Sequence, residues 1–220
     1  MVITRQLGFF DNGTGQPALA GLEGFRYQPD LIGPSEEAAL LTHVRKLPFR
    51  EFEFHGYLGK RRVVSFGWKY DYSSRSIQEA DRIPAFLLPL RSLAASFAEM
   101  DPHEFQQALV TEYRPATGIG WHRDKAVFGK VVGISLLSQC VLRFRRRLTG
   151  KRSSEAERAR QRAKEWERIN ISTDPRSAYL LSGPARSEWE HSILSVGGLR
   201  YSITFRNVRD HRQKSDQHDR

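Results

Sequence analysis

The sequence predicts a mainly β protein with flanking helices, built around a single sandwich or barrel. Short runs of β-branched and aromatic residues recur from Phe105 to Val208, at a spacing typical of such folds. Two amphipathic segments precede these runs. Apolar residues make up 39% of the 220 positions, which is enough for one core of ordinary size. We therefore expect one domain and exclude global disorder.

Residues 1–104 are expected to form an N-terminal extension packed on the core. A helix is predicted from Pro34, where acidic residues fill the first turn and apolar residues follow at helical spacing. A second helix is predicted from Pro84 to Met100, with an early break at Pro89. Between the helices, two stretches alternate aromatic and polar residues, which predicts a β-hairpin.

Residues 105–209 are expected to form the core. The strand-like runs are QQALVTEY, GIGWHRD, VVGISLL, CVLRFRR, INIST, SAYLLSG and RYSITFRNV. One segment interrupts them: Ser154 and Glu157 have the spacing of a capping box, which predicts an inserted basic helix over 153–168. Residues 210–220 are polar enough to form a tail.

The composition limits the class of protein and of partner. An excess of 35 Lys and Arg over 25 Asp and Glu gives a net charge of +10, which favours a nucleic-acid partner. Cys140 is the only cysteine, so an intramolecular disulfide and a thiolate zinc cluster are excluded. Neither a signal peptide nor a membrane-spanning stretch is recognisable. We expect a cytoplasmic monomer with no membrane partner.

A candidate metal site is formed by two histidines and one aspartate. Residues i and i+2 of a strand share a face, so His122 and Asp124 are expected to lie together. His191 follows much later in the chain, and the three side chains match the facial triad of non-haem Fe(II) oxygenases. Zinc hydrolases use similar ligands, and a strand histidine bonded to a neighbouring carboxylate is a simpler alternative.

The tripeptide His122-Arg123-Asp124 also occurs in the catalytic loop of protein kinases. In that loop an asparagine stands five residues past the aspartate, whereas Gly129 stands there in this chain. The other kinase motifs are missing from the sequence as well. A kinase is therefore excluded.

The last strand carries two arginines on one face. Arg200 and Arg206 are an even number of positions apart, and two guanidinium groups directed into a barrel need anions. A dicarboxylate could supply them, since arginine binds a carboxylate bidentately, and the hydroxyl of Tyr113 could donate to the same group. The alternative is that both arginines lie on an exposed strand of a basic protein.

Four segments of the C-terminal half follow one another in a fixed order and carry the candidate site residues: EYRPATGIGWHRDK, VVGISLL, LLSGPARSEWEHSI and LRYSITFRNV. In these segments the chain resembles the AlkB-like Fe(II)/2-oxoglutarate-dependent dioxygenases. The resemblance implies a double-stranded β-helix, or jelly roll, with an N-terminal nucleotide-recognition lid. It also implies that His122, Asp124 and His191 bind Fe(II), with 2-oxoglutarate and O₂ as cosubstrates.

The same resemblance assigns roles around the cosubstrate. Arg200 would pair with the distal carboxylate of 2-oxoglutarate, Tyr113 would add a contact, and Arg206 would be the second arginine of the last strand. Two asparagines that are frequent in the family are replaced here by Thr111 and Ser202. Both replacements keep a hydroxyl that can form hydrogen bonds.

The predicted hairpin occupies the region where the family carries its lid. Trp68, Tyr70 and Tyr72 alternate along one stretch, so they could stack against a base extruded from a nucleic acid. Arg61 and Arg62 would contact phosphates. The alternative is that these aromatic side chains pack on the barrel.

A second candidate surface for a polyanion is the basic cluster from Arg143 to Arg152. Glutamates are interleaved with the basic residues of the inserted helix that follows, so a solvated surface remains an alternative.

The resemblance implies oxidative dealkylation of N-alkylated DNA or RNA bases. The alkyl carbon is hydroxylated, and the product collapses to an aldehyde and the repaired base. Two alternatives stay open: a tRNA- or protein-directed oxygenase with the same chemistry, and a non-catalytic module that binds nucleic acid.

Overall fold

Two β-sheets stacked face to face form the body of the molecule, and helices cover the outer face of the larger sheet. The computed structural model describes the backbone of residues 4–7 and the residues 21–54, 57–71, 74, 76–148 and 166–209. The prediction of a mainly β fold with flanking helices is confirmed.

The helices are short and lie mostly where the sequence places them. Helix α1 spans Pro34–Val44, α2 spans Leu88–Ala98 and α3 spans Gly183–Ser187. A 3₁₀ turn over Ala85–Leu87 precedes α2, and Pro89 stands in the first turn of α2, which confirms the predicted early break. Helix α3 was not predicted.

Fourteen strands are present in the described residues. They are β1 Thr4–Leu7, β2 Phe25–Gln28, β3 Arg50–Phe54, β4 Tyr57–Phe66, β5 Trp68–Asp71, β6 Ser76–Glu79, β7 Gln107–Tyr113, β8 Ile119–His122, β9 Phe128–Leu136, β10 Cys140–Arg147, β11 Trp166–Thr173, β12 Ala178–Leu181, β13 Glu190–Ile193 and β14 Arg200–Val208. The larger sheet has the order β2-β12-β9-β14-β7-β4-β3, the smaller sheet has the order β1-β11-β10-β13-β8, and β5 pairs with β6 alone.

All seven strands predicted in the C-terminal half are present, and β13 between them was missed. Strand β11 begins at Trp166, so the last three residues of the helix expected over 153–168 are strand. The rest of that helix and the tail over 210–220 lie outside the described residues.

The larger sheet separates two apolar cores. Along β14, Tyr201, Ile203 and Phe205 join the core beneath the helices. The opposite face meets the smaller sheet, whose Phe144 and Ile171 belong to the second core. Side chains alternate between the faces of a strand, so one strand can line both layers.

The larger sheet crosses the boundary expected between residues 104 and 105. Strand β2 pairs with β12, and the hairpin of β3 and β4 continues the sheet beyond β7. Gly67 then turns the chain out of this sheet into β5 with a φ of 73°, and an added Cβ would lie 2.0 Å from the carbonyl oxygen of Gln106. The position of β5 therefore depends on a glycine.

None of the described helices is both long and apolar enough to cross a membrane.

Candidate metal centre and cosubstrate pocket

The three predicted metal ligands lie together at one end of the space between the sheets. Strands β8 and β13 run antiparallel, and their pairing sets His122 directly opposite His191. The centroids of the two imidazole rings are 4.3 Å apart. One ligand atom from each of His122, Asp124 and His191 lies within 4.8 Å of the others. The three side chains can therefore hold one metal ion.

The alternation of a strand does not explain the place of Asp124, because β8 ends at His122. A hydrogen bond from the side chain of Arg206 orients the carboxylate, with 3.1 Å between Nη2 and Oδ1. The other oxygen, Oδ2, lies 3.8 Å from Nε2 of His191. The carboxylate thus offers one oxygen to a metal while the other is held by the protein.

Hydrogen bonding and charge prepare these groups for a cation. The Nδ1 of His122 donates to the carbonyl oxygen of Gly120 at 2.9 Å, which leaves Nε2 as the ligand atom. Burial lowers the pKa of His122, and burial together with His122 lowers the pKa of His191 to about 3. Burial alone would raise the pKa of Asp124, but Arg206 above all lowers it well below its usual range. Two neutral imidazoles and one carboxylate result.

A second feature of the pocket is the buried guanidinium of Arg200, which has no exposed surface. Its Nη2 donates to Oγ of Ser135 at 2.7 Å, and its Cζ lies 5.0 Å from the centroid of the Tyr113 ring. The Nε and Nη1 atoms have no hydrogen-bond partner among the described residues. A buried cation with unsatisfied donors needs an anion, and a carboxylate can accept hydrogen bonds from a guanidinium group.

Small hydroxyl side chains line the sheet beside this arginine. Ser202 on β14 stands between Thr111 on β7 and Ser135 on β9, and all three are buried. Within the part of the chain that is described, the hydroxyls of Thr111 and Ser202 make no side-chain hydrogen bond. They remain available to a polar ligand. Ser135 was not predicted as a site residue, although VVGISLL was recognised as a strand.

Tyr179 is another pocket residue that the sequence analysis missed. Its ring lies over Gly133, where an added Cβ would meet the ring at 2.3 Å. Burial raises the pKa of Tyr113 and of Tyr179, so both phenols keep their protons and can donate hydrogen bonds. The alternation of SAYLLSG signals that Tyr179 and Leu181 share a face, and both belong to the inner core.

A chain of hydrogen bonds joins the metal site to β5. Arg206 donates from Nη1 to Oε1 of Gln107 at 3.2 Å, and Nε2 of Gln107 donates to the carbonyl oxygen of Trp68 at 2.8 Å. Because Arg206 also holds Asp124, one buried glutamine connects the carboxylate to the start of β5.

Two of the three aromatic residues predicted for the lid are described. Trp68 and Tyr70 are half-buried on β5, and Tyr72 lies outside the described residues. The ammonium nitrogen of Lys125 lies 4.9 Å from the centroid of the Tyr70 ring. Because Lys125 follows Asp124 in the chain, Tyr70 lies next to the metal-binding turn.

Arg61 and Arg62 were both predicted to contact phosphates, and a register shift in the pairing of β3 with β4 leaves Arg61 without a partner on β3, whereas Arg62 pairs with Glu51. Arg62 donates to Oε1 of Glu112 at 3.1 Å and to the carbonyl oxygen of Phe49 at 3.0 Å, beneath the helices. Burial, and then the charge of Arg61, lower the pKa of His122, so Arg61 lies on the side of the metal site. Arg62 therefore has two partners within the protein, which the sequence did not predict.

The sequence profile of the 2OG-Fe(II) oxygenase superfamily matches residues 24–206. The chain belongs to this superfamily. It is therefore a 2-oxoglutarate-dependent dioxygenase that uses Fe(II), 2-oxoglutarate and O₂.

Individual relatives place this oxygenase near the AlkB-like members, as the sequence motifs predict. It is 26% identical over 212 residues to the Alkylated DNA repair protein ALKBH8 homolog of Arabidopsis thaliana. That match covers 86% of this chain but only 60% of the plant protein. It is also 25% identical over 216 residues to Uncharacterized protein L905 of Acanthamoeba polyphaga mimivirus, with 89% of this chain and 90% of the viral protein covered.

A solved structure confirms the jelly-roll architecture of this oxygenase. The structure of OsALKBH1 superposes with a TM-score of 0.57 at 15% sequence identity, and it covers 84% of this chain and 96% of that chain. At this identity the likeness concerns the fold.

The pocket fits the groups that the superfamily uses. Two neutral histidines and a carboxylate are the donor set of a non-haem Fe(II) centre. The unsatisfied nitrogens of Arg200 suit one carboxylate of a dicarboxylate cosubstrate. Fe(II) and 2-oxoglutarate are therefore consistent with the side chains present.

Proposed function

We propose that this dioxygenase removes alkyl groups from nitrogen atoms of nucleic-acid bases, with His122, Asp124 and His191 as the ligands of iron. The observation that carries the proposal is the anchoring of the aromatic strand β5 at the metal-binding turn. Gln107 and Arg206 tie the start of β5 to Asp124, while Tyr70 contacts the residue after it. An aromatic base placed against β5 would lie next to the metal.

The composition supports a polyanionic substrate. The net charge of +10 favours binding to phosphates, and half-buried aromatic side chains beside the site provide surfaces for base stacking. One relative carries alkylated DNA repair in its name. Trp68 and Tyr70 are the described candidates for stacking, because both lie on the same face of β5.

Arg200 is proposed to hold the distal carboxylate of 2-oxoglutarate. Its unsatisfied N–H groups would donate to that carboxylate, while Tyr113 and the hydroxyls of Thr111 and Ser202 line the sheet beside it. An anion that accepts these hydrogen bonds would compensate the buried charge of Arg200, and this compensation would add to the affinity for the anion. Cosubstrate binding thereby completes the polar network of the pocket.

When bound, iron with 2-oxoglutarate and O₂ supplies the oxidising power for hydroxylation of a carbon. In the net reaction, an N-methyl group, 2-oxoglutarate and O₂ give the N–H base, formaldehyde, succinate and CO₂. The chain contributes binding and orientation: Arg206 keeps one oxygen of Asp124 occupied, and Gly120 fixes the tautomer of His122.

The test is a screen of methylated DNA and RNA oligonucleotides with the iron-loaded enzyme. We expect formaldehyde and succinate to appear in equal amounts with at least one oligonucleotide, and neither to rise with the matched unmethylated strand. An Asp124→Ala variant serves as the control for adventitious iron. Succinate that rises with methylated peptides, and with none of the oligonucleotides, would contradict the proposal.

A further inference from the structure

The outer face of the smaller sheet, opposite the helix layer, carries a row of arginines. Arg143, Arg145 and Arg147 alternate along β10 with Leu142 and Phe144, which point into the inner core. The three arginines therefore project outward. Successive members of the row are about 6.8 Å apart along the strand.

Neighbouring strands extend this row and hold it in place. Arg168 on β11 stands opposite Arg145. The guanidinium carbons of Arg143 and Arg145 lie 4.8 Å and 4.6 Å from the centroid of a Trp121 ring, and that of Arg145 lies 4.3 Å from Trp166. Stacking fixes the planes of the guanidinium groups and leaves their N–H edges for other partners. We call Arg143, Arg145, Arg147 and Arg168 the arginine face.

The arginines of this face differ in their partners. Glu190 pairs with Arg145 at 2.6 Å, whereas Arg143 donates to the hydroxyl of Ser192 at 3.0 Å. Among the described residues no carboxylate pairs with Arg143 or Arg168. Burial, and then the charges of Arg168 and Arg145, lower the pKa of Arg143, as expected for cations that repel one another.

Arg146 on the same strand differs from these arginines, because carboxylates of the protein compensate its charge. Its guanidinium lies over the ring of Trp189 at 4.7 Å, and it pairs with Glu167 at 2.9 Å and with Glu188 at 3.2 Å. Two ion pairs within the protein therefore account for the presence of Arg146 at this position. No such ion pair within the described residues accounts for Arg143 and Arg168, and the repulsion between these two arginines lowers stability unless an anion is bound.

The arginine face extends to β8, the edge strand of the smaller sheet, which carries His122 on its other face. Trp121, which stacks with it, directly precedes His122 on β8. Arg123 follows and is exposed, and it lines a surface depression together with Arg145 and Trp166. A nucleic-acid strand that passes over this edge of the sheet would meet the arginine face.

We propose that the arginine face binds the phosphate backbone of the nucleic acid beside the target nucleotide. A linear row of fixed cations suits a linear polyanion, and guanidinium groups donate to phosphate bidentately. The inference rests on the proposed nucleic-acid substrate. Its test does not, because backbone binding requires neither iron nor an alkylated base.

The experiment measures binding of an unmodified single-stranded oligonucleotide by fluorescence anisotropy over a range of salt concentrations. The double variant Arg143→Ala with Arg168→Ala should bind about 25-fold more weakly at 0.1 M salt, since each lost contact removes a factor of about five. The slope of log K against log salt should fall by about 1.4. The double variant Arg143→Lys with Arg168→Lys keeps the charges and should keep the slope.

The matched control removes two positive charges from the helix layer, at the exposed Arg45 and Lys46. Arg45→Ala with Lys46→Ala should leave affinity and slope unchanged. Equal losses in both alanine variants, no binding by the wild type, or a loss confined to anionic phospholipid vesicles would each overturn the proposal. Turnover of a methylated nucleoside tests the proposed function separately, and the Arg143/Arg168 variant should leave it unchanged.

Discussion

The two faces of β14 differ in chemistry although the same nine residues form both. On one face Tyr201, Ile203 and Phe205 pack under the helices. On the other face Arg200 and Arg206 reach the pocket between the sheets, where Arg200 has unsatisfied donors and Arg206 donates a hydrogen bond to the carboxylate of Asp124. Because side chains alternate along β14, residues that stabilise the core and residues that line the pocket are neighbours in the sequence. Substitutions on the two faces should therefore have separable effects.

The largest effect is expected on the apolar face. Phe205→Ala removes a fully buried ring and should lower the free energy of unfolding by about 3–5 kcal/mol. Denaturant unfolding measures this change. Equilibrium dialysis of the folded protein should find its affinity for 2-oxoglutarate unchanged, and a large loss of affinity would show that the two faces are not independent.

On the polar face, Arg200→Ala should weaken 2-oxoglutarate binding by about 2–5 kcal/mol, because the variant removes one partner of a buried charge pair. This corresponds to a factor of about thirty to several thousand. Thermal unfolding without cosubstrate should not report a comparable loss, since Arg200 is a buried cation with unsatisfied donors. Equal losses of 2-oxoglutarate and oligonucleotide affinity would place this arginine on the nucleic-acid surface instead.

A smaller effect is expected at β5, which is half-buried and lies at the entrance of the pocket. At least one of Trp68→Ala and Tyr70→Ala should reduce turnover of a methylated oligonucleotide, since stacking of one base contributes about 1–3 kcal/mol. Decarboxylation of 2-oxoglutarate without a substrate should continue at the wild-type rate. Normal turnover by both variants would favour a protein or small-molecule substrate.

The smallest effect is expected for two neighbouring residues of β4, Arg61 and Arg62. Arg61→Ala should lower the slope of log K against log salt for oligonucleotide binding by about 0.7, the value for one phosphate contact. Arg62→Ala should leave this slope unchanged and lower stability, because Arg62 pairs with Glu112. A reversed pattern would mean that the faces of β4 are assigned the wrong way round.

Much of this arrangement could be predicted from the sequence, because local patterns determine it. Period-two runs identified the C-terminal strands, and the first turns of the helices identified α1 and α2. Strand β13 was missed because Glu190–Ile193 carries little apolar alternation of its own, and its pairing with β8 and β10 depends on tertiary structure.

Other features depend on contacts that no local pattern contains. Asp124 lies beyond the end of β8, and the side chain of Arg206 positions it from a distant strand. Gln107 and Ser135 gain their roles only when β7, β9 and β14 lie side by side. The different partners of Arg61 and Arg62 accompany a register shift between β3 and β4, and the alternation of residues along the sequence does not reveal such an irregularity.

We propose that His122, Asp124 and His191 bind one Fe(II) beside a 2-oxoglutarate held by Arg200. The most direct test is an anaerobic titration of the protein with Fe(II) in the presence of 2-oxoglutarate. The metal-to-ligand charge-transfer absorption band monitors binding. The wild type should develop the band and saturate at one iron per chain, and Asp124→Ala should develop none. A band of unchanged intensity in Asp124→Ala would contradict the assignment of the metal centre.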